Sequence, residues 1–100
     1  MDIIADLDQY VSYIDNEVAL IKFSLPGCQP CKKLTPFLLE LREKYPKCKM
    51  GEIDISKNNA GDTFDIHHVP VVHVYRNGTL QLIVESNFEK LREEFEQMFK

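Results

Sequence analysis

Two cysteines separated by two residues, Cys28 and Cys31, are the side chains of this sequence best suited to chemistry. Two thiols within bonding reach of each other can interconvert between a dithiol and a disulfide. The pair follows an apolar segment that predicts a strand and begins an amphipathic segment that predicts a helix. One helical turn brings the second side chain back to the first, so the pattern indicates a redox-active pair at the start of a helix.

The predicted position of Cys28 at a helix N-terminus favours its thiolate. Unpaired backbone N–H groups and the helix dipole stabilise an anion there, and Lys32 and Lys33 add positive charge. Cys28 is therefore expected to attack a substrate disulfide, and Cys31 to attack the mixed disulfide and release the reduced substrate. The spacing alone also allows a chance pair or half of a zinc site. An intracellular setting favours the redox interpretation.

The predicted elements follow the order (β)αβαβαββα, which indicates an α/β domain. A short edge strand at Ile3–Ile4 precedes a helix over Asp6–Ile14 that Asp6 caps. This helix carries four apolar residues on one face: Leu7, Tyr10, Val11 and Ile14. The capping-box pattern Ser86–Glu89 predicts the start of the last helix. The other elements are strands over 18–24, 49–55, 71–75 and 79–84, and helices over 29–45 and 57–64.

Composition and charge narrow the classes of function. The 100 residues suit one domain, 1–100, and 44% hydrophobic with 28% charged residues is typical of a soluble globular protein. A net charge of −4 without a basic block makes nucleic acid and anionic membranes poor partners. The acidic start, Met1–Asp6, does not resemble a signal peptide, and no apolar run approaches the ~20 residues of a membrane span. We expect a cytoplasmic monomer.

The second half of the chain adds a pattern in which an aliphatic residue and a proline open a strand that ends in an aromatic residue, a turn and a glycine. With this pattern, the chain resembles the thioredoxin family over nearly its whole length. Six residues fall at the spacing of that family: Cys28, Cys31, Pro36, Asp54, Pro70 and Gly78. The resemblance implies the thioredoxin fold, a central mixed β-sheet flanked by helices on both faces, and the activity of a protein-disulfide oxidoreductase.

The resemblance also implies that Pro70 is a cis-proline facing the dithiol, although only about 5–6% of X–Pro bonds in folded proteins are cis. The backbone of Val69 would then pair with a substrate strand, and His68 would lie in the same groove. Glutaredoxins are the competing relatives, but they place proline first in the dipeptide and carry a glycine pair after the hairpin. Here Pro30 is second and Glu85–Asn87 contains no glycine, so glutathione dependence is disfavoured.

Three positions depart from the family pattern. Gly27 stands where thioredoxins have tryptophan, and Gln29 stands where they have glycine, which changes the mouth of the site more than its chemistry. Lys22 replaces a buried aspartate that handles the proton of the resolving thiol. Met50 stands where the family usually has a lysine, and Glu52 lies on the same strand face as that position. We therefore predict a swapped Lys22–Glu52 pair under the dithiol, in which Lys22 favours thiolates and Glu52 accepts the proton, with a lysine that reaches solvent as the alternative.

Other polar residues suggest weaker hypotheses. His67 and His68 could complete a Cys₂His₂ metal site with the dithiol, but the spacing is not that of a zinc finger, so we predict no metal. Cys48 is expected to be a free thiol and His73 a structural histidine.

The sequence therefore predicts a reductant that needs no bound cofactor because its disulfide is the redox centre. Its expected substrates are disulfide-containing proteins, and its electrons would come from a thioredoxin reductase or another dithiol. The alternatives are a redox-silent adapter with the same fold and, less favoured, a Cys/His metal site.

Overall fold

The computed structural model describes residues 1–100 and contains five strands and four helices. The strands are β1 (Asp2–Ile3), β2 (Val18–Ser24), β3 (Cys48–Asp54), β4 (Val71–Arg76) and β5 (Thr79–Val84). The helices are α1 (Leu7–Ile14), α2 (Gln29–Lys44), α3 (Ala60–Thr63) and α4 (Lys90–Met98). The predicted order of elements is confirmed, and the bounds of β2 and β5 agree with the prediction. None of the helices is both long and apolar enough to cross a membrane.

The strands form one mixed sheet in the order β1-β3-β2-β4-β5. The first three strands of this order are parallel, whereas β4 is antiparallel to β2 and β5 is antiparallel to β4. The carboxyl ends of β2 and β3 therefore lie beside the start of β4, where Phe23 is opposite Val71. The dithiol follows β2 after a turn of three residues, so this edge of the sheet positions the site.

The central strand β2 is buried along its whole length, as its nearly continuous apolar sequence predicts. Alternate residues face opposite sides of the sheet. Val18 and Leu20 pack with apolar residues of α2 and α4, whereas Ala19, Ile21 and Phe23 pack with residues of α1 and α3. Helices therefore cover both faces of the sheet, and each face has its own core.

The predicted inward face of α1 is only partly correct. The capping interaction is present, since Asp6 Oδ1 accepts the backbone N–H of Gln9 at 2.9 Å. Leu7 and Val11, however, are 58% and 56% exposed. The helix turns instead toward Tyr10, which is buried and whose hydroxyl contacts the hydroxyl of Tyr75 on β4. Periodicity allowed either overlapping face, and packing against the sheet selected one.

The predicted capping box of α4 is wrong. Asn87 adopts a positive φ of 52°, and α4 begins at Lys90 with Glu89 at the N-cap and no side-chain cap. The chain enters the helix through a tight turn in which the N–H of Lys90 donates to the carbonyl of Asn87 at 3.2 Å. Leu91 is nevertheless fully buried, so the core-facing stripe of the helix holds although its start has moved.

Candidate active site

Cys28 and Cys31 form a disulfide in the structure, with their Cα atoms 5.3 Å apart. Cys28 is the N-cap residue of α2, and its Sγ accepts the backbone N–H of Cys31 at 3.2 Å. Cys28 is half-buried, whereas Cys31 is 2% exposed. A substrate sulfur can therefore approach Cys28, while Cys31 faces the interior of the protein.

The turn before α2 explains how the chain delivers Cys28 to the helix N-terminus. Gly27 adopts a φ of +78°, a region that residues with a Cβ atom rarely occupy. The N–H of Cys28 donates to the carbonyl of Leu25 at 3.3 Å and closes the turn. Pro30 lies in the first turn of α2, where its missing N–H costs no hydrogen bond. Gly27, Gln29 and Pro30 are all exposed around the half-buried sulfur.

The Val69–Pro70 peptide bond is cis, as the family resemblance implies. Pro70 is buried at the start of β4, and Val69 is half-buried. Pro70 and Pro30 line the same open groove of about 540 Å³, together with Leu34 and Phe37 of α2. The structure therefore brings the dithiol loop and the cis-proline loop to one groove.

His68 does not line this groove but contacts a residue that does. Its Nε2 is 3.9 Å from Oε2 of Glu85, a residue that lines the groove. Both side chains are exposed, so the contact is loose. The groove thus carries the charge of Glu85 beside the apolar side chains of Leu34 and Phe37.

Lys22 and Glu52 face each other under the dithiol. They are directly opposite in the parallel register of β2 and β3, and Lys22 Nζ lies 3.0 Å from Glu52 Oε2. The lysine is 1% exposed, so the alternative in which it reaches solvent is wrong. A cavity of about 290 Å³ is bordered by both residues and by Cys31. A buried ion pair therefore lies on the interior side of the dithiol.

Two further residues, to which the sequence pattern assigns no function, complete this polar network. Thr35 Oγ1 accepts a hydrogen bond from Lys22 Nζ at 2.5 Å, and Ser24 Oγ donates to Glu52 Oε2 at 2.8 Å. Thr35 lies one helical turn beyond Cys31 in α2. Ser24 lies two residues after Lys22, so both side chains are on the same face of β2. These spacings were visible in the sequence, but only the packing of α2 on the sheet brings the hydroxyls to the ion pair.

The remaining histidines and cysteine lie apart from the dithiol network. His67 pairs with Asp65 at 2.6 Å on the surface. His73 is buried against the ring of Phe23 and has no hydrogen-bond partner for Nδ1. No cluster of three or more His, Cys, Asp or Glu side chains is arranged to hold a metal ion. Burial raises the pKa of the Cys48 thiol to about 12, so this cysteine is not activated.

Comparisons with known proteins agree with this geometry. The family model "Thioredoxin" matches residues 3–99. A thioredoxin of Ophiophagus hannah is 29% identical over 96 residues, covering 91% of each chain. A thioredoxin of Chlamydia pneumoniae is 28% identical over 72 residues, covering 71% of each chain. A solved structure of Plasmodium falciparum thioredoxin superimposes with a TM-score of 0.85 at 25% identity, covering 97% of this chain and 98% of the other. This chain belongs to the thioredoxin family of thiol–disulfide oxidoreductases.

Proposed function

We propose that the chain reduces protein disulfides, with Cys28 as the attacking nucleophile and Cys31 as the resolving thiol. The observation that carries this assignment is the unequal placement of the two sulfurs. Cys28 is half-buried at the N-terminus of a 16-residue helix, whereas Cys31 is 2% exposed behind it. The helix N-terminus stabilises the thiolate of the residue that substrate can reach.

The reaction proceeds in two exchanges. The Cys28 thiolate attacks one sulfur of the substrate disulfide, a mixed disulfide forms, and the other substrate sulfur leaves as a thiolate that takes up a proton. Cys31 then loses its proton and attacks Cys28 Sγ. The Cys28–Cys31 disulfide closes, the second substrate thiolate leaves, and two electrons have passed to the substrate.

The groove beside the dithiol is the proposed substrate site. Pro30 lines it on the dithiol side, next to the exposed residues Gly27 and Gln29. Pro70 lines it on the side of the cis-proline loop and is preceded in the chain by His68 and Val69. An extended substrate segment there can pair with the backbone of Val69 while its disulfide meets Cys28. The apolar side chains of Leu34 and Phe37, which line the groove, suit substrates with an apolar residue near the disulfide.

The buried ion pair is proposed to serve the resolving step. The Lys22 ammonium borders the same cavity as Cys31 and stabilises negative charge there, and because Lys22 is 1% exposed, solvent screens its charge little. Glu52 is 24% exposed, so it can accept the Cys31 proton and pass it to solvent. In this arrangement the charges are reversed relative to the family pattern, while the task of the pair is unchanged.

We further propose the setting of the reaction. The redox centre is the Cys28–Cys31 disulfide itself, so no bound cofactor is required. A thioredoxin reductase or another dithiol supplies the electrons, since the family to which the chain belongs is generally reduced in this way. The two cores share one sheet, which supports a single domain over residues 1–100. A monomer in the cytoplasm, where thiols are kept reduced, is the proposed state.

Reduction of insulin disulfides with dithiothreitol as electron source tests this proposal. Dithiothreitol replaces the unidentified reductase, so the absence of a tryptophan before Cys28 does not affect the assay. The Cys28→Ser variant should be inactive, and Cys31→Ser should accumulate a mixed disulfide with the substrate. The matched control is Cys48→Ser, which removes a buried thiol and should retain activity. Wild-type protein that is folded, with both thiols titratable, yet no faster than dithiothreitol alone would refute the proposal.

The role of Glu52 has its own test. Glu52→Gln keeps the size of the side chain but removes its ability to accept a proton, so the mixed disulfide should resolve more slowly than in the wild type. The measurement is the decay of the mixed disulfide in single-turnover experiments. Unchanged decay rates would remove Glu52 from the mechanism and leave the assignment of the cysteines intact.

A further inference from the structure

Thr35 connects the resolving cysteine to the buried ion pair. Its Oγ1 lies 2.5 Å from Lys22 Nζ and 3.4 Å from the backbone carbonyl oxygen of Cys31. An ammonium group only donates hydrogen bonds, so the hydroxyl accepts from Lys22 and its own proton is left for the carbonyl of Cys31. A helical threonine commonly donates to the carbonyl four residues earlier. Its contact with a buried ammonium from the neighbouring sheet is specific to this site.

The two acceptors of Lys22 come from opposite layers of the fold. Glu52 lies beside Lys22 in the sheet, whereas Thr35 belongs to the helix that carries Cys31. Glu52 Oε2 also accepts from Ser24 at 2.8 Å, which ties the carboxylate to the sheet. Without the Thr35 hydroxyl, the remaining bonds hold the ammonium on the sheet side. Thr35 is therefore the contact that keeps the charge against α2.

The charged groups around the cavity differ in how strongly they act on Cys31. Besides Lys22 and Glu52, the cavity is bordered by Lys32 of α2, Asp54 of β3 and Lys57 of the following turn. Lys32 and Lys57 are exposed and Asp54 is half-buried, so solvent screens their charges. Lys22 is 1% exposed, and a buried charge acts more strongly over the same distance. Of the three lysines that border the cavity with Cys31, Lys22 is therefore the one whose charge solvent screens least.

We propose that Thr35 is a positioning residue that holds the Lys22 ammonium toward Cys31 and thereby sets how readily the resolving thiol ionises. This inference rests on the proposed function, since it concerns the second exchange of that reaction. The sulfur of Cys31 must lose its proton before it attacks Cys28 Sγ. The Lys22 ammonium favours this ionisation when it is held against α2, and it favours it less when it moves back toward the sheet.

The test compares Thr35→Val with Thr35→Ser. Valine keeps the shape of the side chain without the hydroxyl, and serine keeps the hydroxyl without the methyl group. The first measurement is the ultraviolet absorbance of the Cys31 thiolate as a function of pH in the Cys28→Ser background. Cys48 does not interfere because burial raises its pKa to about 12. Thr35→Val should move the Cys31 titration to higher pH, and Thr35→Ser should leave it at the wild-type position.

The second measurement is the rate of mixed-disulfide resolution against pH in proteins with both cysteines. A titration moved upward by one pH unit corresponds to about tenfold less thiolate below the midpoint. Resolution by Thr35→Val should slow there, by a smaller factor than the loss of thiolate because a thiolate of higher pKa is the stronger nucleophile, and the slowing should disappear at high pH. If Thr35→Val does not fold, Thr35→Ala, which favours the helix, takes its place.

Two results would overturn the inference. One is a Thr35→Val titration identical to that of the wild type. The other is a Thr35→Ser titration displaced as far as that of Thr35→Val, because the methyl group would then be the active feature. The thiolate titration requires no substrate turnover. A failure of the proposed function, seen as no insulin reduction by the wild type, is therefore distinguishable from a failure of the role of Thr35.

Discussion

Lys22 and Glu52 form an ion pair of unequal burial. Their charged atoms are 3.0 Å apart, yet Lys22 is 1% exposed and Glu52 is 24% exposed. The carboxylate keeps contact with solvent and with the hydroxyl of Ser24. The ammonium depends on its protein partners alone. The two residues should therefore respond differently to substitution.

Removing the carboxylate should destabilise the fold more than removing the ammonium. Glu52→Ala leaves a buried charge without its counterion and should cost about 3 kcal/mol in the free energy of unfolding. Lys22→Met removes the buried charge, keeps the volume and should be close to neutral. Urea unfolding of the oxidised proteins measures both values. Equal losses in the two variants would contradict this account.

Cys48 should be inert in the native protein. Burial raises its pKa to about 12, and its thiol donates to the carbonyl of Lys49 at 3.6 Å. In the Cys28→Ser/Cys31→Ser variant, a thiol reagent at neutral pH should find no reactive group until guanidinium unfolds the chain. A rapidly labelled thiol in the folded variant would show that Cys48 is more accessible than the structure indicates.

His73 should make the protein less stable in acid. Burial lowers its pKa, and the charge of Glu85 opposes this shift only in part. The unfolded chain then binds a proton near pH 6.5 that the folded chain binds only at lower pH. Above about pH 6.5 the histidine is neutral in both states, so it does not reduce the free energy of unfolding. As the pH drops below that value toward the pKa of the folded state, the free energy of unfolding falls.

The matched variants for this effect are His73→Phe and His67→Gln. His73→Phe should flatten the pH dependence of the free energy of unfolding below about pH 6.5. His67 is 78% exposed, so His67→Gln is the matched control for the loss of a surface histidine. Denaturant unfolding at a series of pH values gives the three curves. A His73→Phe curve as steep as that of the wild type would assign the acid sensitivity to other groups.

Two glycines should respond in opposite directions to alanine. A Cβ atom on Gly51 of β3 would lie 2.9 Å from Ile4 Cγ1 and 3.1 Å from Tyr13 Cε1, so Gly51→Ala should cost about 1–3 kcal/mol by overpacking. A Cβ atom on Gly61 would meet its neighbours at 3.7 Å or more, within α3. Gly61→Ala should stabilise by about 0.4–1 kcal/mol, because it restricts the unfolded chain. Thermal unfolding distinguishes the two variants, and a stabilised Gly51→Ala would contradict the packing argument.

Local signals in the sequence predicted most of the fold. The apolar run of β2 and the cap at Asp6 both act within a few residues, and both are present in the structure. The incorrect predictions, the inward face of α1 and the cap of α4, have a different origin. The outer residues Leu7 and Val11 belong to one of two overlapping helical faces, and the Ser86–Glu89 pattern competes with a turn in which Asn87 adopts a positive φ.

The sequence by itself determined the spacing of the dithiol, the order of the elements and the strand faces that Lys22 and Glu52 occupy. These features depend on the periodicities of helices and strands and on local backbone preferences, which neighbouring residues determine. Only the tertiary structure decided between a buried Lys22 and one that reaches solvent, and only it showed that Thr35 contacts the same ammonium. Strand register and the seating of a helix on a sheet arise from contacts between distant segments. The dithiol was therefore visible in the sequence, whereas its buried electrostatic setting was established by packing.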